Sequence, residues 1–312
     1  MKIACNLSPP LVERLARHVS APEVIAYADH GPVWEIPPDA DLLFTFMQGW
    51  RAAPRTPPPG WPHRLRWIQV AAAGVDAFPP WFFEGPVVTC GRGIASTPIA
   101  EYVMTAILAR EKRWSETRVT PSSPWPALTL NSLEGKTLGL IGYGAIGQAV
   151  ALRAAAFGMR VLAWRRSPAS IADDRVTMVN SLGELLRQAD HAVVAAPMTA
   201  TTHHMINRES LRAVKHGLHL INVSRGPIVD HDALLEALQA GRVGAATLDV
   251  TEPEPLPAGH PLLMHPDVWV TPHISWSSET GDERIERKLV ENLERFMRGD
   301  ALLDVVDATR GY

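Results

Sequence analysis

The feature that most constrains the fold is the alternation of short apolar runs with helical patterns in the second half of the chain. Six of these runs have the length of a strand, and helical patterns lie between most of them. Such alternation is typical of a parallel sheet with helices on both faces. The predicted strands are residues 137–142, 160–164, 191–196, 218–224, 245–250 and 268–271, and the predicted helices are residues 145–157, 182–188, 208–214 and 230–240. The sequence therefore predicts an α/β fold with a doubly wound parallel sheet.

The earlier part of the chain predicts a second, smaller α/β domain. Proline is concentrated at residues 51–62, which excludes that stretch from regular structure because proline fixes φ and lacks an N–H donor. Longer helices are predicted over residues 98–117 and 279–298, and we expect the last one to return to the first domain. The predicted domains are thus residues 1–97 with 279–312, and residues 98–278. Five short strands are predicted in the first domain, at residues 2–6, 23–27, 42–46, 66–70 and 87–90, with a helix near residues 11–19.

Composition narrows the classes of partner. Charged residues make up 20% of the chain and the net charge is −3, which argues against a dedicated nucleic-acid binder. Two cysteines, Cys5 and Cys90, fit buried apolar positions in a reducing compartment better than a disulfide framework. The chain has no apolar run long enough to cross a membrane and no signal-peptide pattern. We expect a cytoplasmic protein that binds small molecules rather than nucleic acid or a membrane.

The turn after the first strand of the doubly wound sheet carries the sharpest local motif. It reads GYGAIG over residues 142–147, between a buried-strand run and an alanine-rich helical run. In a dinucleotide site, the first glycine permits a tight turn, the second lets a pyrophosphate approach, and the third lets the helix pack on the strand. The phosphates then lie at the N-terminus of the helix. The residues that we expect to contact the cofactor here are Gly142, Gly144, Ala145, Ile146 and Gly147.

The end of the second strand of this sheet predicts which dinucleotide binds. An NAD site normally has Asp or Glu at this point to hold the ribose 2′-hydroxyl. This chain instead has Arg165, Arg166 and Ser167 after Trp164. Guanidinium groups and a hydroxyl bind a 2′-phosphate, which a carboxylate would repel. We therefore expect NADP(H) in preference to NAD(H); the alternative is that these are ordinary surface arginines beside the adenine.

Reactive side chains follow the last three strands of this sheet, at the edge where open α/β sheets bind ligands. Arg225 follows the fourth strand, and His273 follows the sixth. Two acids, Glu252 and Glu254, follow the fifth. Reduction of a 2-keto acid needs a cation to hold the carboxylate and a general acid to protonate the alkoxide, and Arg and His suit these tasks. A carboxylate beside the histidine would hold its tautomer and favour its charged form.

Several motifs, in this order and spacing, resemble the D-2-hydroxyacid dehydrogenases over nearly the whole chain. They are GYGAIG, NVSRGPIVD at residues 222–230, LDVTEPEP at 248–255 and TPHIS at 271–275. The resemblance implies Arg225 as substrate binder, His273 as acid/base and Glu254, rather than Glu252, as its partner. The sequence WRRS at residues 164–167 is similar to the NADPH-dependent glyoxylate/hydroxypyruvate reductase branch. The family further implies a Rossmann cofactor domain, a flavodoxin-like substrate domain and a homodimer.

The same resemblance implies further contacts with the cofactor and the substrate. Asp249 would contact the nicotinamide carboxamide, and the backbone of Ala73 and Gly74 would hold the substrate carboxylate. The remaining expected cofactor contacts are Ala196, Pro197, Thr202, Val223 and Ser224.

The chain departs from the family pattern near the expected pocket. The family usually has a glycine soon after the catalytic histidine, where this chain has Ile274, Ser275 and Trp276. We expect Trp276 to shape the pocket, with Met47 and Trp50 on the opposite wall. The alternative for Trp50 is a hydrophobic lid on the proline-rich loop.

Other interpretations are weaker. The pair His203-His204 suggests a metal site, but no third ligand at metal spacing accompanies it in the sequence, so no metal is predicted. A dinucleotide-sensing binding protein of the same fold is the main alternative to an enzyme. A phosphite-type dehydrogenase is another; the formate branch pairs its histidine with glutamine, which Glu254 argues against.

Overall fold

The computed structural model describes residues 1–27, 31–121, 125, 127–166 and 173–312. In chain order, its strands are β1 Lys2–Cys5, β2 Glu23–Ala26, β3 Leu42–Thr45, β4 Trp67–Val70, β5 Val87–Thr89, β6 Thr137–Ile141, β7 Arg160–Trp164, β8 Val176–Met178, β9 His191–Val194, β10 Leu218–Asn222, β11 Val243–Leu248 and β12 Val268–Val270. Its helices are α1 Pro9–Ala16, α2 Ser96–Glu111, α3 Ala145–Ala156, α4 Leu182–Gln188, α5 His231–Gln239, α6 Pro261–Met264 and α7 Gly281–Arg298.

The chain divides into two compact units. The small unit comprises Met1–Ala95 and Ser278–Tyr312, and the large unit comprises Ser96–Ser277. These boundaries lie within two residues of the predicted ones, and the last helix belongs to the unit that contains the N-terminus.

The small unit is built on a parallel sheet of five strands in the order β2-β1-β3-β4-β5. This is the flavodoxin-like order, so the predicted fold class is confirmed, and all five predicted strands are present. Helix α7 packs Leu289 and Leu293 into the same buried cluster as residues of β1, β3 and β4. Between these leucines, the buried amide of Asn292 donates to Gln69 Oε1 at 2.9 Å, which ties the helix to the middle of β4.

The large unit is built on a parallel sheet of seven strands in the order β12-β11-β10-β9-β6-β7-β8. The chain starts in the middle, at β6, builds outward through β7 and β8, and then returns to β9 on the other side of β6. The strand order therefore reverses between β6 and β9, which is where doubly wound sheets open a crevice at their carboxyl edge. Apolar side chains of β9, β10 and β11 pack against α4 and α5 in one buried cluster.

Two predicted helices differ from the structure, and one short strand lies outside the prediction. Strand β8 was not predicted, because it has only three residues and two of them are exposed at the sheet edge. The predicted helix at 208–214 is only a 3₁₀ turn, Ser210–Ala213, and the side chain of Asn207 caps its start by accepting the N–H groups of Glu209 and Ser210. Helix α2 ends at Glu111, before the predicted residue 117, and Arg113 adopts a positive φ of 48° just beyond it.

Cys5 and Cys90 are both free and buried, as the sequence predicts. Burial raises the pKa of the Cys5 thiol to about 11, so it stays protonated and packs as a small apolar group. None of the described helices combines the length and the apolar character that crossing a membrane requires.

Candidate active site

The turn between β6 and α3 has the geometry of a dinucleotide-binding turn. Gly142 adopts φ +100°, which only glycine adopts readily. A Cβ on Gly142 would lie 2.8 Å from the backbone of Ala195 and Ala196, so the loops after β6 and β9 touch at the point where the strand order reverses. A Cβ on Gly147 would lie 2.6 Å from the carbonyl oxygen of Gly142, and this close approach seats the helix on the turn.

The N-terminus of α3 is open where a pyrophosphate would lie. A Cβ built on Gly144 meets no atom of the described chain within 4 Å, and no side chain caps the helix. The first N–H groups of a helix lack acceptors within the helix, so those near Ala145 and Ile146 are available to an anion. The residues present therefore fit the phosphates of a nicotinamide dinucleotide.

Hydroxyl groups hold the loop after β9 in place, and one of them comes from the loop after β10. Thr202 donates its hydroxyl to the carbonyl of Pro197 at 2.8 Å and accepts the N–H of Thr199 at 2.8 Å. Ser224 donates its hydroxyl to the carbonyl of Ala196. Because both loops leave the carboxyl edge of the sheet, these bonds hold the predicted cofactor contacts in one wall; Val223, at the end of β10, is buried behind it.

The residues after β7 lie at the same edge. The carbonyl of Trp164 accepts the N–H of Gly142 at 2.8 Å, which places the end of β7 beside the glycine turn. Arg165 is half-buried, and Arg166 is exposed and donates to the hydroxyl of Thr201 at 2.5 Å. Ser167, the third residue predicted to hold a 2′-phosphate, lies outside the described residues.

Arg225 follows β10 in a loop whose backbone is held by the side chain of Asn222 and by close packing at Gly226. The side-chain amide of Asn222 donates to the carbonyl of Arg225 at 2.9 Å and its oxygen accepts the N–H of Ser224 at 3.1 Å. A Cβ on Gly226 would lie 2.1 Å from the carbonyl of Thr251, so only glycine fits between this loop and the loop after β11. The backbone on both sides of Arg225 is thus held in place.

His273 and Glu254 form an ion-pair contact. Nδ1 of His273 lies 2.7 Å from Oε1 of Glu254, and the two side chains are 30% and 37% exposed. Since the carboxylate accepts the Nδ1 proton, Nε2 of the imidazole is the nitrogen left for a ligand. Arg225, Glu254 and His273 follow the neighbouring strands β10, β11 and β12, so all three lie at one edge of the sheet.

The loop that carries His273 is organised by Asp249, which is 1% exposed. One carboxylate oxygen accepts the hydroxyl of Thr271 at 2.6 Å and the N–H of Ile274 at 2.9 Å, and the other accepts the N–H of Ser275 at 3.0 Å. His273 itself has φ +52°, and its N–H donates to the backbone carbonyl of Asp249 at 2.9 Å. Asp249 therefore holds a strained loop; its contact with the carboxamide stays a prediction.

Trp276 packs back on the same loop. Its indole N–H donates to the carbonyl of His273 at 2.8 Å, and 47% of the residue is exposed. It therefore presents an aromatic surface within three residues of the candidate acid/base.

The other predicted substrate contacts belong to the small unit. Ala73 and Gly74 follow β4, and within the described chain their N–H groups donate no hydrogen bond. Met47 is half-buried after β3. Trp50 is 0% exposed, donates its indole N–H to Thr45 and packs on Phe78, Trp81 and Phe82. A side chain so enclosed has no surface to offer a substrate, so we leave Trp50 out of the proposed pocket and treat it as core.

Sequence reasoning missed three residues that shape this site. Asn222 is fully buried at the end of an apolar strand, and a lone polar residue in such a run is the signal that could have identified it. Gly226 and Thr271 gave no comparable signal, because their roles depend on loops that are distant in sequence.

Comparisons with known proteins identify the family of the chain. A family model described as "D-isomer specific 2-hydroxyacid dehydrogenase, NAD binding domain" matches residues 103–275. A glyoxylate reductase from Thermofilum pendens is 34% identical, over 76% of this chain and 73% of that protein.

Two solved structures are similar to this protein over its whole chain and over 99% of their own chains. One is a D-isomer specific 2-hydroxyacid dehydrogenase from Xanthobacter autotrophicus in complex with NADPH and MES, with a TM-score of 0.84 and 27% identity. The other is an NADPH-dependent glyoxylate/hydroxypyruvate reductase from Sinorhizobium meliloti in complex with NADP and sulfate, with a TM-score of 0.82 and 26% identity. The chain belongs to the D-isomer specific 2-hydroxyacid dehydrogenases, a family of NAD(P)-dependent oxidoreductases that act on CH–OH donors.

Proposed function

We propose that this enzyme reduces a small 2-keto acid to the D-2-hydroxy acid and uses NADPH in preference to NADH. The observation that carries the proposal is the 2.7 Å contact between His273 and Glu254 at the sheet edge that also holds Arg225 and the glycine turn. Each of these groups has a separate task in the reaction.

The proton and the substrate are handled by the side chains of the large unit. Bound nicotinamide supplies the hydride that the keto carbon accepts. Nε2 of a protonated His273 gives its proton to the keto oxygen, which becomes the hydroxyl. Glu254 holds Nδ1 and stabilises the charged imidazole before the transfer. Arg225 binds the substrate carboxylate and polarises the keto group with its fork of N–H donors.

The substrate contacts predicted within the small unit stay predictions. The N–H groups of Ala73 and Gly74, which donate to nothing in the described chain, would be free to donate hydrogen bonds to a carboxylate. Trp276 would limit the size of the substrate's side chain, and Met47 stays a predicted contact. The apolar surface of Trp276 favours glyoxylate, hydroxypyruvate or a larger 2-keto acid over a charged side chain.

The preference for NADPH rests on charge at the end of β7. Arg165 and Arg166 directly follow Trp164, at the position where an NAD site normally has the acid that holds the ribose 2′-hydroxyl. Two of the solved neighbours hold NADPH or NADP, which supports the same proposal. The homodimer and the cytoplasmic location stay predictions.

The direct test is the consumption of NADPH and NADH by the purified protein with glyoxylate, hydroxypyruvate, pyruvate, phenylpyruvate and 2-ketoisocaproate. We expect turnover that is markedly faster with NADPH, and the best substrate will report the size of the pocket. Tight binding of cofactor without turnover of any keto acid would instead support a dinucleotide-sensing protein. A separate assay should supply phosphite with NAD⁺ or NADP⁺, because formation of NADH or NADPH there would identify the phosphite-type alternative.

A further inference from the structure

A cluster of three metal-ligand side chains lies outside the catalytic set. His203 and His204 come from the loop after β9, and Glu252 comes from the loop after β11. One ligand atom from each residue lies within 4.8 Å of the other two. Glu252 is distant from the histidine pair in sequence, and the fold brings it close to them.

The local geometry of the two histidines is unusual. Their rings stack with centroids 4.0 Å apart and an interplanar angle of 25°, so both imidazoles face the same way. Nε2 of His204 lies 3.7 Å from Oε2 of Glu252. His204 adopts φ +46°, a conformation that costs energy in a residue with a Cβ, and its N–H is held by the carbonyl of Pro227 at 2.8 Å. Backbone strain of this kind is concentrated at functional positions.

The chemistry of the three groups selects a class of ion. Two imidazoles and one carboxylate suit borderline divalent transition metals such as Zn²⁺, Ni²⁺ or Cu²⁺, whereas Ca²⁺ and Mg²⁺ prefer oxygen ligands throughout. Bonds of about 2.0–2.1 Å to such an ion require the ligand atoms to move closer together than they lie here. All three side chains are exposed, so rotation about their side-chain bonds can close that distance. Water would complete the coordination.

We propose that His203, His204 and Glu252 form a binding site for a divalent transition-metal ion, with Zn²⁺ as the probe. The site joins two loops that also serve the active site. Thr202, next to His203, holds the loop that lines the cofactor, and Glu252 lies two residues before Glu254. The backbone of Glu252 is already fixed, because its carbonyl accepts from Nδ1 of His231 at 3.1 Å. A bound ion would thus link the cofactor-lining loop to the loop that carries the partner of His273.

The proposal is independent of the keto-acid reaction and is tested by metal binding. The full chain, free of any polyhistidine tag and stripped with EDTA, is titrated with ZnCl₂ in a calorimeter. We expect the wild type to bind one ion, and His203→Gln and Glu252→Gln each to weaken binding about 10-fold or more. His216→Gln, which removes an exposed histidine elsewhere in the large unit, should bind like the wild type.

His204→Gly keeps the test decisive if a ligand variant folds poorly. Glycine tolerates the positive φ, so this variant should be at least as stable as the wild type and yet lose the ion. The proposal would be overturned if the wild type gave no heat of binding in excess ZnCl₂, or if all three variants bound like the wild type. It would also be overturned if His273→Gln, rather than these variants, abolished binding, since the ion would then lie in the active site. Electron paramagnetic resonance with Cu²⁺ should show nitrogen coupling that His203→Gln reduces.

Discussion

His273 and Glu254 are nineteen residues apart in the chain, but their side chains meet at 2.7 Å. Because His273 carries the proton in the proposed reaction, His273→Ala should lower kcat by about 10²–10⁴-fold, the usual contribution of a general acid. Binding of NADPH, followed by its fluorescence, should be unchanged. His216→Ala is the matched control. Turnover at the wild-type rate in His273→Ala would refute the assigned role.

Arg165 tests the choice of cofactor at the same scale. An acid at this position would repel a 2′-phosphate and could accept a 2′-hydroxyl, so Arg165→Asp should raise KM for NADPH by at least about 10-fold and leave NADH less affected. Arg187→Asp makes the same charge change on an exposed position of α4 and serves as the control. Equal losses with both cofactors would contradict the 2′-phosphate argument.

At the scale of elements, substitutions in the turn from β6 to α3 should affect cofactor affinity and fold stability separately. A Cβ on Gly144 has open space, so Gly144→Ala should change the free energy of unfolding by no more than about 0.5 kcal/mol. The added methyl group would lie where the pyrophosphate approaches, and NADPH affinity should fall about 10-fold or more.

Gly147→Ala is the contrasting variant for this turn. Its Cβ would lie 2.6 Å from the carbonyl oxygen of Gly142, so it should lose about 1–3 kcal/mol of stability as well as affinity. Thermal unfolding and fluorescence titration of both variants make the comparison. If Gly144→Ala unfolds as easily as Gly147→Ala, the space at Gly144 is not open, and if it binds NADPH like the wild type, the pyrophosphate does not approach there.

The loop after β12 gives a second test at this scale. In Asp249→Asn, the new NH₂ group cannot accept the N–H of Ser275 or Ile274, so the loop that carries His273 loses a hydrogen bond. A small misplacement of the acid should lower kcat by about 10²-fold. KM for NADPH should change little if Asp249 acts by positioning, whereas a large rise in KM would instead support the carboxamide contact. Asp267→Asn, an exposed acid before β12, is the control.

At the scale of the folded molecule, the large unit contains a buried network of polar groups that includes none of the predicted site residues. Oε1 of Glu111 lies 3.2 Å from Nε2 of His191, whose Nδ1 lies 3.1 Å from Nδ1 of His219. Nε2 of His219 in turn lies 2.9 Å from the hydroxyl of Thr247. These polar groups lie on α2, β9, β10 and β11, so their hydrogen bonds link elements that are separated by more than a hundred residues.

These buried polar groups predict how the free energy of unfolding depends on pH. Burial opposes ionisation of Glu111, but the contacts with His191 and Lys136 outweigh it and lower the pKa from 4.5 to about 2. The ionised carboxylate therefore stabilises the fold above pH 4.5, and this contribution, about 3 kcal/mol, is lost as the pH falls from 4.5 toward 2. Burial, the charge of His191 and that of Arg110 hold the pKa of His219 well below 6.5, so stability also falls below pH 6.5.

Urea unfolding from pH 7 to pH 3 checks this prediction. Glu111→Gln should be less stable than the wild type at pH 7 and should lose less stability on acidification, because no carboxylate is left to protonate. Glu134→Gln, at an exposed position, should follow the wild-type curve. Parallel pH curves for the wild type and Glu111→Gln would contradict the prediction.

Much of the fold could be predicted because it depends on the short-range periodicity of apolar residues. The five strands of the small unit and six of the seven strands of the large unit are short apolar runs of strand length, and buried strands have this pattern wherever they occur. Strand β8 could not be predicted because Thr177 and Met178 are exposed at the sheet edge, so it is not an apolar run in the sequence. Trp50 is hard to place from the sequence for the opposite reason, since a large aromatic residue has the same pattern in a core as in a pocket wall.

The sequence by itself determined the strand–helix alternation, the glycine turn and the types of reactive residue after each strand, because these depend on neighbours within a few positions. Tertiary structure alone decided which side chains meet. It paired His273 with Glu254, folded the His273 loop around Asp249, and brought Glu252 to His203 and His204. The physical reason is that strand order and close loop packing, as at Gly226 against Thr251, set these distances, and neither leaves a local pattern in the chain.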